Sequence, residues 1–113
     1  MPIDKPQSVS ERIKVKAVTP EPSSKLGMAL LTIGELPING LRLRPTNGTN
    51  GWYIWCGGEM SEDPDFFASL HVEHMAERLP QIIKYLDLPP GYRFQIDDSG
   101  YEDLWFDESL LSN

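Results

Sequence analysis

The sequence predicts an α+β fold in which a small antiparallel sheet packs against one long, Pro-kinked helix. Three observations carry this expectation. Residues 88–107 alternate apolar and polar side chains about a turn, Trp52 to Cys56 form a short apolar run closed by glycines, and residues 70–86 carry apolar side chains at helical spacing. The chain has 113 residues, enough for one domain to bury a core without disulfides or metal. Residues 1–10 hold two prolines and two serines with little to bury and read as a loose N-terminal arm, leaving 11–113 as a single α+β domain.

After the arm, Ile13, Val15 and Ala17 alternate with Arg12, Lys14 and Lys16, a strand pattern whose lysines suit an exposed edge. Thr19-Pro20-Glu21-Pro22-Ser23-Ser24 is a loop, because each proline removes a backbone donor and restricts its neighbour. Lys25 to Leu36 fits either element. Leu26, Met28, Leu30 and Thr32 allow a strand, while Leu26, Ala29, Leu30 and Ile33, with Ser23 or Ser24 as cap, favour a helix. Pro37 and Asn39-Gly40 mark turns, Leu41 and Leu43 a short strand, and the Asn-Gly steps at 47–48 and 50–51 a loop. Trp52 to Cys56 is the most apolar short run and reads as a central strand, ended by Gly57-Gly58. Glu59 to Asp65 is an acidic loop, and Phe66-Phe67 anchor it to the core.

From Leu70 to Leu86, Val72, Met75, Ala76, Leu79, Ile82, Ile83 and Leu86 form the apolar stripe of a helix. Pro80 inside it loses a hydrogen bond and clashes one turn back, so a kink or two abutting helices is expected. Pro89-Pro90-Gly91 ends the helical pattern. Tyr92, Phe94 and Ile96 then alternate with Arg93, Gln95 and Asp97. Asp98-Ser99-Gly100 supplies turn chemistry, and Tyr101 to Phe106 returns as the second strand of a hairpin.

The net charge is −7 and unevenly placed: residues 1–58 carry +3 and residues 59–113 carry −10. Such a field repels nucleic acid and anionic membrane and attracts basic partners, although it also serves solubility alone. No apolar run is long enough to span a membrane, the first ten residues lack the apolar core of a signal peptide, and the lone Cys56 allows no internal disulfide. A cytoplasmic protein is the expectation.

Few residue groups suggest chemistry. His71 and His74, with Glu77 three residues further on, offer zinc-ligand types, but helical zinc pairs are usually spaced by four and no cysteine cluster supports them. Cys56 beside Trp55 in an apolar strand reads as a buried, inert thiol rather than a nucleophile. Glu59 to Asp65 lacks the alternating ligands and mid-loop glycine of a calcium loop, and Gly57-Gly58 lacks the context of a phosphate loop. No catalytic residue, metal site or cofactor is expected. The carboxylates Glu59, Glu62, Asp63, Asp65, Asp97, Asp98, Glu102 and Asp103 instead suggest partner contact. Trp52 and Trp55 are the aromatic anchors beside them, because exposed Trp among carboxylates suits a Lys- or Arg-rich surface.

Five stretches read together carry a family resemblance. They are Gly51-Trp52-Tyr53-Ile54-Trp55-Cys56-Gly57-Gly58-Glu59; Asp65-Phe66-Phe67; Leu70-His71-Val72-Glu73-His74; Tyr85-Leu86-Asp87-Leu88-Pro89-Pro90-Gly91-Tyr92-Arg93-Phe94; and Tyr101-Glu102-Asp103-Leu104-Trp105-Phe106-Asp107. In this order, over residues 51–111, the chain resembles a family of small bacterial domains, the immunity proteins of polymorphic-toxin systems in the group numbered thirty-three. The resemblance directs interest to Trp52, Trp55, Glu59, His71, His74, Arg93, Glu102, Asp103 and Trp105, and transfers no catalytic role to them. It implies a binding protein that neutralises a cognate toxin, with a basic toxin domain as partner. The alternatives are a small metal-binding protein or hydrolase using His71, His74 and nearby carboxylates, and an accessory domain whose acidity aids solubility.

Overall fold

The structure is a computed structural model that describes residues 9–45 and 48–112. Most of the arm read at residues 1–10 lies outside the described residues, but Val9 and Ser10 are buried at the start of a short helix, α1 (Val9–Arg12). The strands are β1 (Lys25–Met28), β2 (Ile38–Arg42), β3 (Thr49–Cys56), β4 (Ala68–His71), β5 (Tyr92–Ile96) and β6 (Glu102–Phe106). They form one six-stranded sheet in the order β4-β1-β3-β2-β5-β6. The sheet is mixed: β1 runs parallel to β3, and the remaining neighbours are antiparallel.

The expected architecture, a small antiparallel sheet against one long kinked helix, is not what the chain forms. Leu70 and His71 belong to β4, 3-10 turns at Val72–His74 lead into α2 (Met75–Arg78), and a separate 3-10 stretch covers Pro80–Tyr85. Pro80 supplies the physical reason. The residue before a proline is driven out of the helical region, and Leu79 sits at φ −143°, ψ 73°, ending α2 after one turn. The stripe misled because 3-10 and α turns both bring every third or fourth residue to one side. Met75, Leu79, Ile82, Tyr85 and Leu86 are buried, whereas Ile83 remains 41% exposed.

Three other readings also change. Residues 12–18 form no strand: Arg12 ends α1, Lys14 takes a φ of 62°, and Val18 is held by a bond from its N–H to the Asp87 carbonyl. Lys25 to Leu36 is strand first, in β1, followed by a 3-10 turn at Leu30–Thr32, rather than the helix favoured above. Asn39-Gly40 lies inside β2 instead of at a turn. There a Cβ on Gly40 would stand 2.2 Å from the Phe94 ring, so glycine allows that ring to lie across the sheet.

Alternation across the strands divides the molecule into two layers. Ile38, Trp52, Ile54, Cys56, Phe94 and Ile96 face the short helices and form the main core with Leu26, Met28, Met75, Ile82 and Leu88. The opposite face carries a smaller cluster of Leu41, Trp55, Ala29 and Leu110, with Tyr53, Phe66 and Phe67 packed against it. Phe66 and Phe67 therefore anchor the acidic loop, Phe67 meeting Tyr53 edge-on at 5.1 Å.

The hairpin β5–β6 forms as the alternation requires, with Tyr92 opposite Phe106 and Ile96 opposite Glu102. Its turn is built by Asp97, whose Oδ1 accepts from the N–H groups of Ser99 and Tyr101 at 2.8 and 3.0 Å. Gly100 has a φ of 98° with open space around its Cα. Gly100→Val is therefore expected to cost about 1 kcal/mol or more through backbone strain alone, read as a lowered urea midpoint. An unchanged midpoint would mean that the turn relaxes into another conformation at no cost.

Candidate partner-binding surface

The register of the sheet brings the two carboxylate groups together. Cys56 at the end of β3 faces Ile38 on β2, which faces Ile96 on β5, which faces Glu102 on β6. The acidic loop leaves β3 at that end, and the hairpin tip protrudes from the same end.

The carboxylates differ in how far they are committed within the fold. Asp97 is the turn former described above, and these hydrogen bonds hold its carboxyl below its usual range. Glu102 is drawn inward: it accepts from the Tyr85 hydroxyl and pairs with Arg12 Nη2 at 2.7 Å. Burial pushes its carboxyl up, but Tyr85, Arg12 and the charge of Lys84 outweigh it, so its pKa is lowered. Burial and the same carboxylate raise the Tyr85 hydroxyl in turn. Asp63 Oδ1 accepts from the Asp65 N–H at 2.9 Å, which shapes the loop. Glu59, Glu62, Asp65, Asp98 and Asp103 are exposed, and among the described residues none has a salt-bridge partner.

The tryptophans fall on opposite faces of β3, and both are buried. Trp52 is 0% exposed in the main core, with Nε1 donating to the Leu86 carbonyl at 2.9 Å. Trp55 is 5% exposed, with Nε1 donating to the Gly58 carbonyl at 2.8 Å, which ties the start of the acidic loop to the sheet. Neither ring is presented at the surface. The exposed aromatics lie on the hairpin: Tyr101, Trp105 and Phe106 are 44%, 37% and 50% exposed. Alternation alone permitted this for Trp105 and Phe106, but did not say which of the aromatics would be on an edge strand.

The face away from the helices also holds a groove that the sequence did not suggest. It is open, about 650 Å³, and is floored by Asn39, Leu41, Gln95 and Arg93 between the Gly57–Met60 turn and Leu110. Asn39 is buried and donates through Nδ2 to the carbonyls of Pro37 and Gly57, while its Oδ1 accepts from Gln95 Nε2 at 2.8 Å. Gln95 Oε1 in turn accepts from the Tyr101 hydroxyl at 2.8 Å. Arg93 lies over the Trp105 ring at 5.4 Å and pairs with Asp107 at 3.2 Å. No periodicity marks Asn39 or Gln95, because an amide in a strand looks like any solvent-facing residue until its partner across the ladder is known.

The histidines stand at the far edge of the sheet. His71 ends β4 and His74 ends the following 3-10 turn, with ring centroids 5.5 Å apart. Glu73, rather than Glu77, completes the group: the donor atoms of His71, Glu73 and His74 lie within 4.8 Å of one another. These are fitting donor types for zinc, on an open surface.

Cys56 is 2% exposed, its thiol pushed up by burial against the opposing hydrogen bond from Thr32. It is expected to react with a thiol reagent only as fast as the protein opens. Rapid labelling of native protein would place the thiol at the surface.

No helix among the described residues is long and apolar enough to cross a membrane. No curated protein and no solved structure matches the chain. The family model of the Imm33-like domain matches residues 5–107, nearly the whole sequence and well beyond the stretch 51–111 that carried the resemblance. The chain therefore belongs to the Imm33-like family, the immunity-protein group that its aromatic and acidic motifs resemble.

Proposed function

We propose that this protein neutralises a cognate bacterial toxin by tight association through an acidic surface, and that its partner is a basic toxin domain rather than nucleic acid or membrane. In this reading it acts in the cytoplasm as one domain, whose core takes in Val9 ahead of the boundary expected at residue 11. The observation that carries it is the group of exposed carboxylates that have no salt-bridge partner among the described residues, Glu59, Glu62, Asp65, Asp98 and Asp103, on two loops and a strand that lie at one end of the sheet. A field of this kind speeds the encounter with a basic partner and is screened over about 8 Å at physiological salt. Trp52 and Trp55 enter the reading only as supports beneath the surface.

Reversing Glu62 and Asp63 to lysine is expected to slow association on the order of tenfold at low salt, with the difference shrinking as salt is added. The fold should survive, because both side chains are exposed and Asp63 loses only one loop hydrogen bond. Stopped-flow mixing with the partner reads the rate, and thermal melting reads the fold. Equal association rates for the reversed and native chains, or docking on the Lys14–Lys16 side, would sink the acidic-surface reading.

The clustering of His71, Glu73 and His74 keeps a metal-binding reading in view. The two readings part on elemental analysis. Under the immunity reading the purified chain carries no stoichiometric metal and melts at the same temperature with chelator, whereas one zinc per chain favours the metal protein.

A further inference from the structure

Among the described residues, the sheet ends in a strand whose outer side is unoccupied. β6 is last in the strand order, and no described element pairs with its far side. The ladder fixes which backbone groups point there. The Asp97 N–H donates to the Tyr101 carbonyl and the Asp107 N–H to the Gly91 carbonyl, so the odd-numbered residues of this strand turn their backbone toward β5. In an antiparallel ladder the alternate residues face the other way, which directs the N–H and C=O groups of Leu104 and Phe106 outward.

Natural edges are blunted by lysine, proline or a bulge. β6 reads Glu-Asp-Leu-Trp-Phe and has none of them. Its protection is carboxylate and aromatic instead. Asp103 and Trp105 project on one face and Phe106 on the other, where its ring meets Tyr92 edge-on at 5.3 Å. Of the cations nearby, Arg12 pairs with Glu102, Arg93 pairs with Asp107, and the charge of Lys84 acts on Glu102. Among the described residues, the edge thus offers unpaired backbone groups, exposed aromatic faces and an unneutralised carboxylate. That combination fits an extended segment carrying Lys or Arg, which can bond the backbone, pair with Asp103 and lie on the Trp105 and Phe106 rings. A second copy of the chain is a poor occupant: it brings another net charge of −7, and its own β6 has no cation to offer.

We propose that the outer edge of β6 docks a basic β-strand of the partner, which extends the six-stranded sheet by one strand. This rests on the reading of the chain as a toxin-binding protein and names the segment of the surface that makes the backbone contact.

The test uses the basic partner recovered with the full native chain from its own cells, identified by mass spectrometry and then titrated in purified form. Phe106→Pro removes the outward N–H, while Phe106→Ala removes the ring and keeps the N–H, so the pair isolates the backbone bond. Phe106→Pro is expected to bind at least tenfold more weakly than Phe106→Ala, and Asp103→Lys to bind more weakly than the native chain. Amide exchange of Leu104 and Phe106 in the native chain should slow on complex formation, a readout that stands even where a variant folds poorly. Equal affinities for Phe106→Pro and Phe106→Ala, with unprotected amides at both positions, would overturn the edge proposal and leave toxin binding intact. Recovery of no basic partner would overturn both. A native dimer in sedimentation that Phe106→Pro dissociates would assign the edge to a second copy instead.

Discussion

Trp52→Ala is expected to lower the free energy of unfolding by about 4 kcal/mol. The ring is fully buried and tilted against Phe94 at 5.7 Å, and its Nε1 donates to the Leu86 carbonyl. Removing it opens a cavity beneath β3, inside the sheet, where strands on both sides limit collapse. Domains of this size are stable by only about 5–15 kcal/mol, so the loss takes a large part of the margin. Trp52→Phe keeps most of the volume, forfeits the indole hydrogen bond, and is expected to lose about half as much. Urea unfolding followed by circular dichroism measures both. The result also separates structure from recognition. A core tryptophan changes the unfolding midpoint but leaves partner affinity unchanged in the fraction that remains folded. An equal loss of affinity at a temperature where Trp52→Phe is fully native would return this residue to the interface. Trp105 is expected to behave in the opposite way, because it is 37% exposed on the edge strand.

Those tryptophans show where the sequence was legible and where it was not. The hairpin could be read because its information is local: side chains alternate strictly, and Asp97, Ser99 and Gly100 supply turn chemistry between the strands. The strand at Trp52 to Cys56 was legible for the same reason. The helix at 70–86 was not. Its apolar spacing suits α and 3-10 turns alike, and β4 takes its first residues to pair with β1, a contact set by residues more than 40 positions away. Alternation at 12–18 likewise reports that Ile13 and Val15 pack against the core, but cannot report whether a ladder partner exists.

The candidate surface divides along the same line. The sequence puts one acidic group after the apolar strand and the other at the hairpin tip, but that both lie at one end depends on β2, which pairs antiparallel with β3 and with β5 and so makes those two run the same way. Which carboxylates stay available depends on partners far away in sequence. Glu102 is taken by Tyr85 and by Arg12, 90 residues away, while its neighbour Asp103 is left exposed. The sequence alone weights the two equally.

Arg42→Met is expected to cost about 3 kcal/mol, although it places an apolar side chain of suitable length in an apolar site. Arg42 is 2% exposed and makes no salt bridge among the described residues. Its Nε donates to the Asn50 carbonyl, and its Nη1 to the carbonyls of Val18, Leu86 and Leu88. Burial lowers the guanidinium pKa to about 10, opposed by the charge of Asp87, so the group still holds its proton at neutral pH. Two terms compete when it is removed. The cost of burying a cation disappears, which favours methionine. Against this, the carbonyls of Asn50, Val18 and Leu88 lose the donor that Arg42 supplied, while Leu86 keeps the Trp52 indole. A buried acceptor without its partner costs about 1–3 kcal/mol, so the orphaned carbonyls outweigh the gain. Lysine rescues little, because a single ammonium cannot reproduce the spread of a planar guanidinium, and Arg42→Lys is expected to lose about 2 kcal/mol. The site also bears on recognition through the backbone: the Gly91 N–H donates to the Arg42 carbonyl at 2.8 Å, just where β5 begins and the hairpin is set on the sheet. That bond survives in both variants. Partner affinity measured well below their unfolding midpoints should therefore match the native chain, in contrast to the edge variants at Asp103 and Phe106. An unchanged urea midpoint for Arg42→Met would mean that water reaches these carbonyls, and that the segments around Val18 and Leu88 are held by apolar contact alone.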